Sequence, residues 1–118
     1  MELEGVTNWI DAYVDAWRSN EAQRIGDLFA DDATYSYHPW DDPLRGREAI
    51  VADWLAEPDE PGSWEAHYQP MLLHGDRAIV TGLTRYVDGK DYSNLFVIDF
   101  DGDGRCRAFT EWFMLHPG

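Results

Sequence analysis

The sequence predicts an α+β fold, with three helices from the first half of the chain packed in the concave face of a curved, mainly antiparallel sheet. Three observations carry this expectation. Apolar residues recur at helical spacing through the first half, two-residue alternation takes over from Ser63 onward, and the later strands are separated only by the short turns HGD, DGK and DGDG. Connections that short join antiparallel neighbours, whereas a parallel crossover needs a dozen residues or more. Helices segregated before a meander of strands give an α+β layering.

Thr7 is placed to cap a first helix whose Ile10, Tyr13, Val14 and Trp17 share one face. Asn20, with Gln23 three residues on, is similar to a capping box and opens a second helix carrying Ile25, Leu28 and Phe29. An acidic turn at Asp31 and Asp32 leads into a short aromatic strand from Ala33 to His38. Tyr35 and Tyr37 stand two apart on that strand and so face the same way. Pro39 and Pro43 make the next segment a loop, because neither can donate to a central ladder. Gly46 to Ala56 reads as a third helix with Ile50 and Trp54 on one side, and EPDEPG, Glu57 to Gly62, as a flexible connection too short to separate domains. Four strands follow: Ser63 to Leu73, Arg77 to Tyr86, Tyr92 to Phe100 and Arg105 to Leu115.

A chain of 118 residues is read as one domain over 1–118, long enough to bury roughly two thirds of its extended-chain surface without staples. Six Trp, six Tyr and five Phe are more than a core of this size needs for filling, so part of the aromatic set is expected to line a cavity or an interface. The formal charge is −14, with Lys90 the one lysine. That surface repels nucleic acid and anionic membrane; it serves solubility or reflects a saline or high-GC host, or alternatively steers a cationic ligand. Cys106 stands alone, which rules out an internal disulfide and a thiolate metal cage. No apolar run matches a membrane span or a signal segment, which places the chain in the cytoplasm as an expectation.

Two motif matches fail on context. Asp99, Asp101, Asp103 and Gly104 open like an EF-hand loop, but its twelfth position is Thr110 and its flanks are strands, so it reads as a hairpin turn. Asp41 and Asp42 are a carboxylate pair on a Pro-bounded loop, suited to Arg45 or to water. There is no phosphate-binding glycine loop, no serine nucleophile elbow and no metal-ligand spacing, so neither a cofactor nor a metal is expected.

The order of elements, with the words LFADDATY, PLRGREAI, HGDRAIV and FDGDGR, resembles the SnoaL-like (polyketide cyclase-like) branch of the nuclear transport factor 2-like superfamily. The resemblance runs from about Thr7 to Leu115. It implies a cone-shaped fold with a deep apolar pocket for a small hydrophobic molecule, and a homodimer through the outer face of the sheet. That fold hosts cyclases, isomerases, dehydratases, epoxide hydrolases and non-catalytic binding subunits. Ketosteroid isomerase, a well-understood member, uses a carboxylate base and an oxyanion hole built from a tyrosine and a protonated Asp. Its tyrosine falls on Tyr13, its base on Tyr37 and its Asp near Phe96. One of three parts is kept, so a steroid-isomerase mechanism is not implied.

The same register implies which side chains face the pocket. Tyr35 and Tyr37 come from the first strand, Asn94, Phe96 and Ile98 from the fourth, and Phe109, Glu111 and Phe113 from the last. Ile79, Thr81, Leu83 and Arg85 come from the third, and Tyr13 and Trp17 close the pocket from the first helix. Glu111, between two phenylalanines, is either a structural element, paired with Arg85 or hydrogen-bonded to a tyrosine, or a general acid/base with a raised pKa. Tyr13, Tyr35 and Tyr37 are candidate donors to a ligand carbonyl or enolate, or plain packing residues. His38 falls at the rim, a surface group or else a candidate catalytic residue. His67, whose facing alternation leaves open, becomes a proton-transfer candidate if it points inward. Two functions remain: cofactor-free cyclisation, isomerisation or dehydration of a carbonyl substrate, or ligand or partner binding without turnover.

Overall fold

The computed structural model describes residues 1–118. Its element order is α1 (Leu3–Ser19), α2 (Ala22–Gly26), β1 (Phe29–Ser36), β2 (Leu44–Arg45), α3 (Arg47–Ala56), β3 (Trp64–His74), β4 (Arg77–Tyr86), β5 (Asp91–Phe100) and β6 (Cys106–Leu115). The six strands form one curved sheet in the order β2-β1-β6-β5-β4-β3, with every pairing antiparallel except β1 with β6. The architecture is α+β; α1 and α2 precede the first strand, while α3 follows β2.

The helical starts differ from the sequence reading. Helix α1 begins at Leu3, and Thr7 lies inside it, its hydroxyl donating to the Leu3 carbonyl at 3.2 Å. A side chain that bonds back one turn is satisfied within the helix and has no capping role. Asn20 is the left-handed end of α1 (φ 54°), its N–H donating to the Ala16 carbonyl, and the α2 cap position falls to Glu21. Asparagine tolerates that conformation, which glycine otherwise supplies. Gln23 donates its amide to Asp27 at 2.9 Å and does not reach back.

Strand β1 starts four residues before the expected Ala33, with a register shift against β6 between Phe29 and Thr34. Arg47, opening α3, fills the irregularity: its guanidinium donates twice to the Phe29 carbonyl, at 3.0 and 2.8 Å, and meets Asp31 at 2.8 Å. Leu44 and Arg45, expected in a loop, form a two-residue strand paired with Tyr35 and Thr34. Pro70 sits in β3, which is an edge strand, beside a second register shift.

On the helical side, Val6, Trp9, Ile10, Tyr13 and Ala16 are the buried stripe of α1, spaced to one face. They join Ile25, Phe29, Tyr35, Ile50, Val80, Phe96, Ile98, Phe100 and Phe109 in one core. Gly82 is a place where this packing requires glycine. A Cβ there would overlap the His67 carbonyl and the Tyr68 ring. No helix is long and apolar enough to cross a membrane.

Candidate functional site

Strand pairing decides what faces inward. Residues directly opposite in an antiparallel pair share a face. Asn94 lies opposite Gly82 and Phe113, Phe96 opposite Val80 and Glu111, and Tyr92 opposite Thr84. The inward residues of β4 are therefore Ala78, Val80, Thr84 and Tyr86, one place off the expected Ile79, Thr81, Leu83 and Arg85. The stretch RAIVTGLTRY carries apolar residues on both faces, so alternation alone could not settle it. Arg85 stands exposed on the outer face between Glu65 and Asp91. It is not the partner of Glu111.

Between α1, α3 and the inward sheet face lies an open cavity of about 300 Å³. Nine of its 17 lining residues are aromatic. Tyr35 and Tyr13 stack on Phe109 at centroid distances of 4.5 and 5.6 Å, and Phe96 meets Phe109 at 4.9 Å. Phe96 and Phe109 are each 1% exposed and form the floor beneath the cavity without lining it, whereas Tyr13, Trp17, Tyr35, Tyr37, Asn94, Glu111 and Phe113 line it.

Glu111 comes up from β6 into this aromatic wall. Its Oε2 accepts a bond from Asn94 Nδ2 at 3.0 Å, and Asn94 Oδ1 accepts from the Thr84 hydroxyl at 2.9 Å. With its own proton committed there, the Thr84 oxygen accepts from the Tyr68 hydroxyl. Three donors in series thus point toward the carboxylate, which has no cationic partner within ion-pair distance. Burial pushes the Glu111 pKa from the usual carboxylate range up to about 7, against the smaller opposing effects of the Asn94 hydrogen bond and the His38 charge. A group poised there exchanges protons at neutral pH.

The tyrosines are held as neutral donors. Tyr13 and Tyr35 share a hydroxyl–hydroxyl bond of 3.2 Å, and burial above all, with Glu111 and neighbouring tyrosines adding to it, raises both their pKa values. Tyr37 donates to Asp53 Oδ2 at 2.6 Å and is likewise pushed up by burial and by that contact.

His38 is at the rim, donating through Nδ1 to Asp41 at 2.9 Å and lying against Trp40 and Phe113 at centroid distances of 4.7 and 5.0 Å. His67 is on the outer face, its side chain 76% exposed beside Glu65. Alternation then turns Tyr68 inward, a residue the sequence reading passed over. Trp54, Thr84, Tyr86 and Tyr92 were missed with it; for the three strand residues, the pairing partners of β5 carry the signal. EPDEPG, read as a plain connection, in fact folds over the cavity. Asp59 accepts a bond from Trp17 Nε1 at 3.0 Å, and its carbonyl accepts one from Asn20. No group of three or more His, Cys, Asp or Glu side chains is placed to hold a metal. Asp101 instead closes the last hairpin by accepting from the Asp103 and Arg105 amides.

Residues 10–113 match the SnoaL-like domain. The chain belongs to that family. Among solved structures, this SnoaL-like chain superposes on an NTF-2 like protein of unknown function from Burkholderia xenovorans with a TM-score of 0.73 at 20% identity, over 98% of this chain and 89% of the other. A ketosteroid isomerase-like protein from Kribbella flavida gives 0.75 at 17% identity, over 98% and 82%. At these identities the likeness is one of fold. Among curated proteins, an extracellular metalloproteinase of Pyrenophora tritici-repentis is 28% identical over 96 residues, 80% of this chain but 13% of the protease. Extracellular metalloproteinase MEP of Fusarium vanettenii is 36% identical over 55 residues, 45% of this chain and 9% of that one. The SnoaL-like chain thus spans about a tenth of the length of these curated relatives.

Proposed function

We propose that the cavity binds a small molecule with an apolar body and a carbonyl group and performs cofactor-free acid/base chemistry on it, of the isomerase, cyclase or dehydratase kind. The observation that carries this is Glu111: a carboxyl with a pKa of about 7, bonded on one oxygen by Asn94, unpaired with any cation, and lining an aromatic cavity. In this reading Glu111 removes a proton α to the carbonyl, or returns one to the neighbouring carbon. Tyr13 and Tyr37, which line the same cavity, supply hydroxyls to receive developing negative charge on the oxygen. The Tyr68–Thr84–Asn94 chain holds the carboxylate without competing for its proton.

The test is α-proton exchange of 2-tetralone in D₂O, followed by NMR. The protein should accelerate exchange, and Glu111→Gln should slow the accelerated rate by about 10²-fold or more while ketone affinity changes less than about twofold. Equal loss of both would favour the second reading, ligand binding without turnover. That reading draws support from the Tyr13–Tyr35 and Tyr37–Asp53 bonds, which engage these hydroxyls before any ligand arrives.

A further inference from the structure

The charge around this cavity is one-sided. Asp53, Glu57, Asp59 and Glu111 line it, and no Lys, Arg or His does. None of the four carboxylates takes part in any of the molecule's six ion pairs. Two are fixed by cavity residues: Asp53 by the Tyr37 hydroxyl and Asp59 by the Trp17 indole. An anionic ligand would meet the Asp53, Glu57 and Asp59 carboxylates, and above pH 7 ionised Glu111 as well, with no Lys, Arg or His in the lining to offset them.

The rings at the strand side of the cavity give a second, independent observation. Tyr86, Tyr92 and Phe113 come from β4, β5 and β6 and stand edge to face: Tyr86 to Tyr92 at 5.8 Å and 81°, Tyr92 to Phe113 at 5.8 Å and 72°. All three rings line the cavity, and the π face of such a ring bears partial negative charge. An aromatic wall set beside carboxylates receives an organic cation. The edge-to-face angle is ordinary aromatic packing, whereas unpaired acids beside the rings are not something an apolar ligand requires.

We propose that the ligand of this cavity is an organic cation, a small ammonium-bearing molecule whose charge sits against the Tyr86, Tyr92 and Phe113 rings and the Glu57 and Asp59 carboxylates, with its apolar body toward Glu111. This rests on the cavity being the functional site and names the substrate class for it. The cation also acts on the base. A positive charge in the cavity favours ionised Glu111, so binding releases a proton near neutral pH. The groups facing Glu111 from the surrounding elements are Tyr13, Tyr35, Tyr37, Tyr68 and Tyr86, which stay neutral, and His38, a cation when protonated.

The experiment titrates the whole chain at pH 8 with benzyltrimethylammonium, its neutral carbon isostere neopentylbenzene, and 3-phenylpropanoate, reading tryptophan fluorescence and heat. The cation should bind at least about tenfold tighter than the isostere, the anion should not bind, and added salt should narrow the gap. Tyr92→Leu and the rim variant Glu57→Gln/Asp59→Asn should each cut the preference severalfold; Glu57 is exposed, so the rim variant is expected to fold. Equal or tighter binding of the isostere, or no binding of the cation, overturns the proposal. If that happens while 2-tetralone still exchanges, the acid/base reading stands and only the cationic substrate class falls. If nothing binds and nothing exchanges, both fall.

Discussion

Glu111 shows how much a single position depends on its surroundings. In sequence it is one of 23 acidic residues; in the fold it is the one carboxyl whose pKa burial carries up to about 7. The linkage has a definite sign. Between the ordinary carboxylate pKa and 7 the folded protein keeps a proton on Glu111 that the unfolded chain has released. Stability from this group therefore falls as pH rises through that window, and below it the two states are protonated alike. Above pH 7 the ionised carboxylate costs on the order of 3 kcal/mol. Glu111→Gln, which keeps the Asn94 bond, should accordingly raise the urea midpoint at pH 8 and leave it nearly unchanged at pH 4. A midpoint shift of the same size at both values would mean that Glu111 is not held protonated by burial. Its neighbourhood on β6 was legible, since Phe109 and Phe113 flank it at two-residue spacing. Its partner was not: Asn94, not Arg85, reaches it, because the strand register, rather than alternation, places β4.

At the scale of elements, the β3–β4 hairpin positions the far end of the hydrogen-bonded chain. Tyr68 reaches Thr84 across the pair because Gly82 leaves its ring room. Gly82→Ala should therefore cost about 1–3 kcal/mol in chemical unfolding, as overpacking does. It should also weaken the donors that reach Glu111, seen as an upward shift of the pH midpoint of α-proton exchange, because the Asn94 bond holds that pKa down. Destabilisation with an unchanged pH profile would show that the Tyr68–Thr84–Asn94 chain does not tune the carboxyl. The meander from Trp64 to Leu115 was readable from turns and alternation because each strand is joined by a short hairpin. The first half was harder. Thr7 and Asn20 have capping side chains, but one bonds back within α1 and the other ends it, and both motifs depend on backbone angles that residue types alone do not specify. The short β2 escaped notice because two residues carry no period; it exists only because β1 offers it an edge.

For the whole molecule, the unpartnered outer sheet face bears on assembly. Ile79, Leu83, Leu95, Val97, Trp112 and Met114 lie there by register, with Trp112 41% and Met114 67% exposed. We propose that a second copy covers this face. Sedimentation at micromolar concentration should then give a dimer, and Trp112→Arg a monomer with the cavity chemistry retained. A monomeric wild-type chain would remove the idea. The charge of −14 opposes self-association at low ionic strength, so the dimer should tighten as salt rises.

The sequence by itself determined the layering of helices and strands, the family, and the aromatic character of the β1 and β6 walls. These follow from local periodicity, turn chemistry and residue type, which tertiary contacts do not alter. Only the tertiary structure decided which face of β4 turns inward, that His67 stands outside, that EPDEPG roofs the cavity, and that four acids from separate segments gather around one space without a counter-charge. Those outcomes depend on strand register and on the meeting of residues far apart in the chain, where the energies that choose between alternatives come from pairing and burial rather than from any local preference.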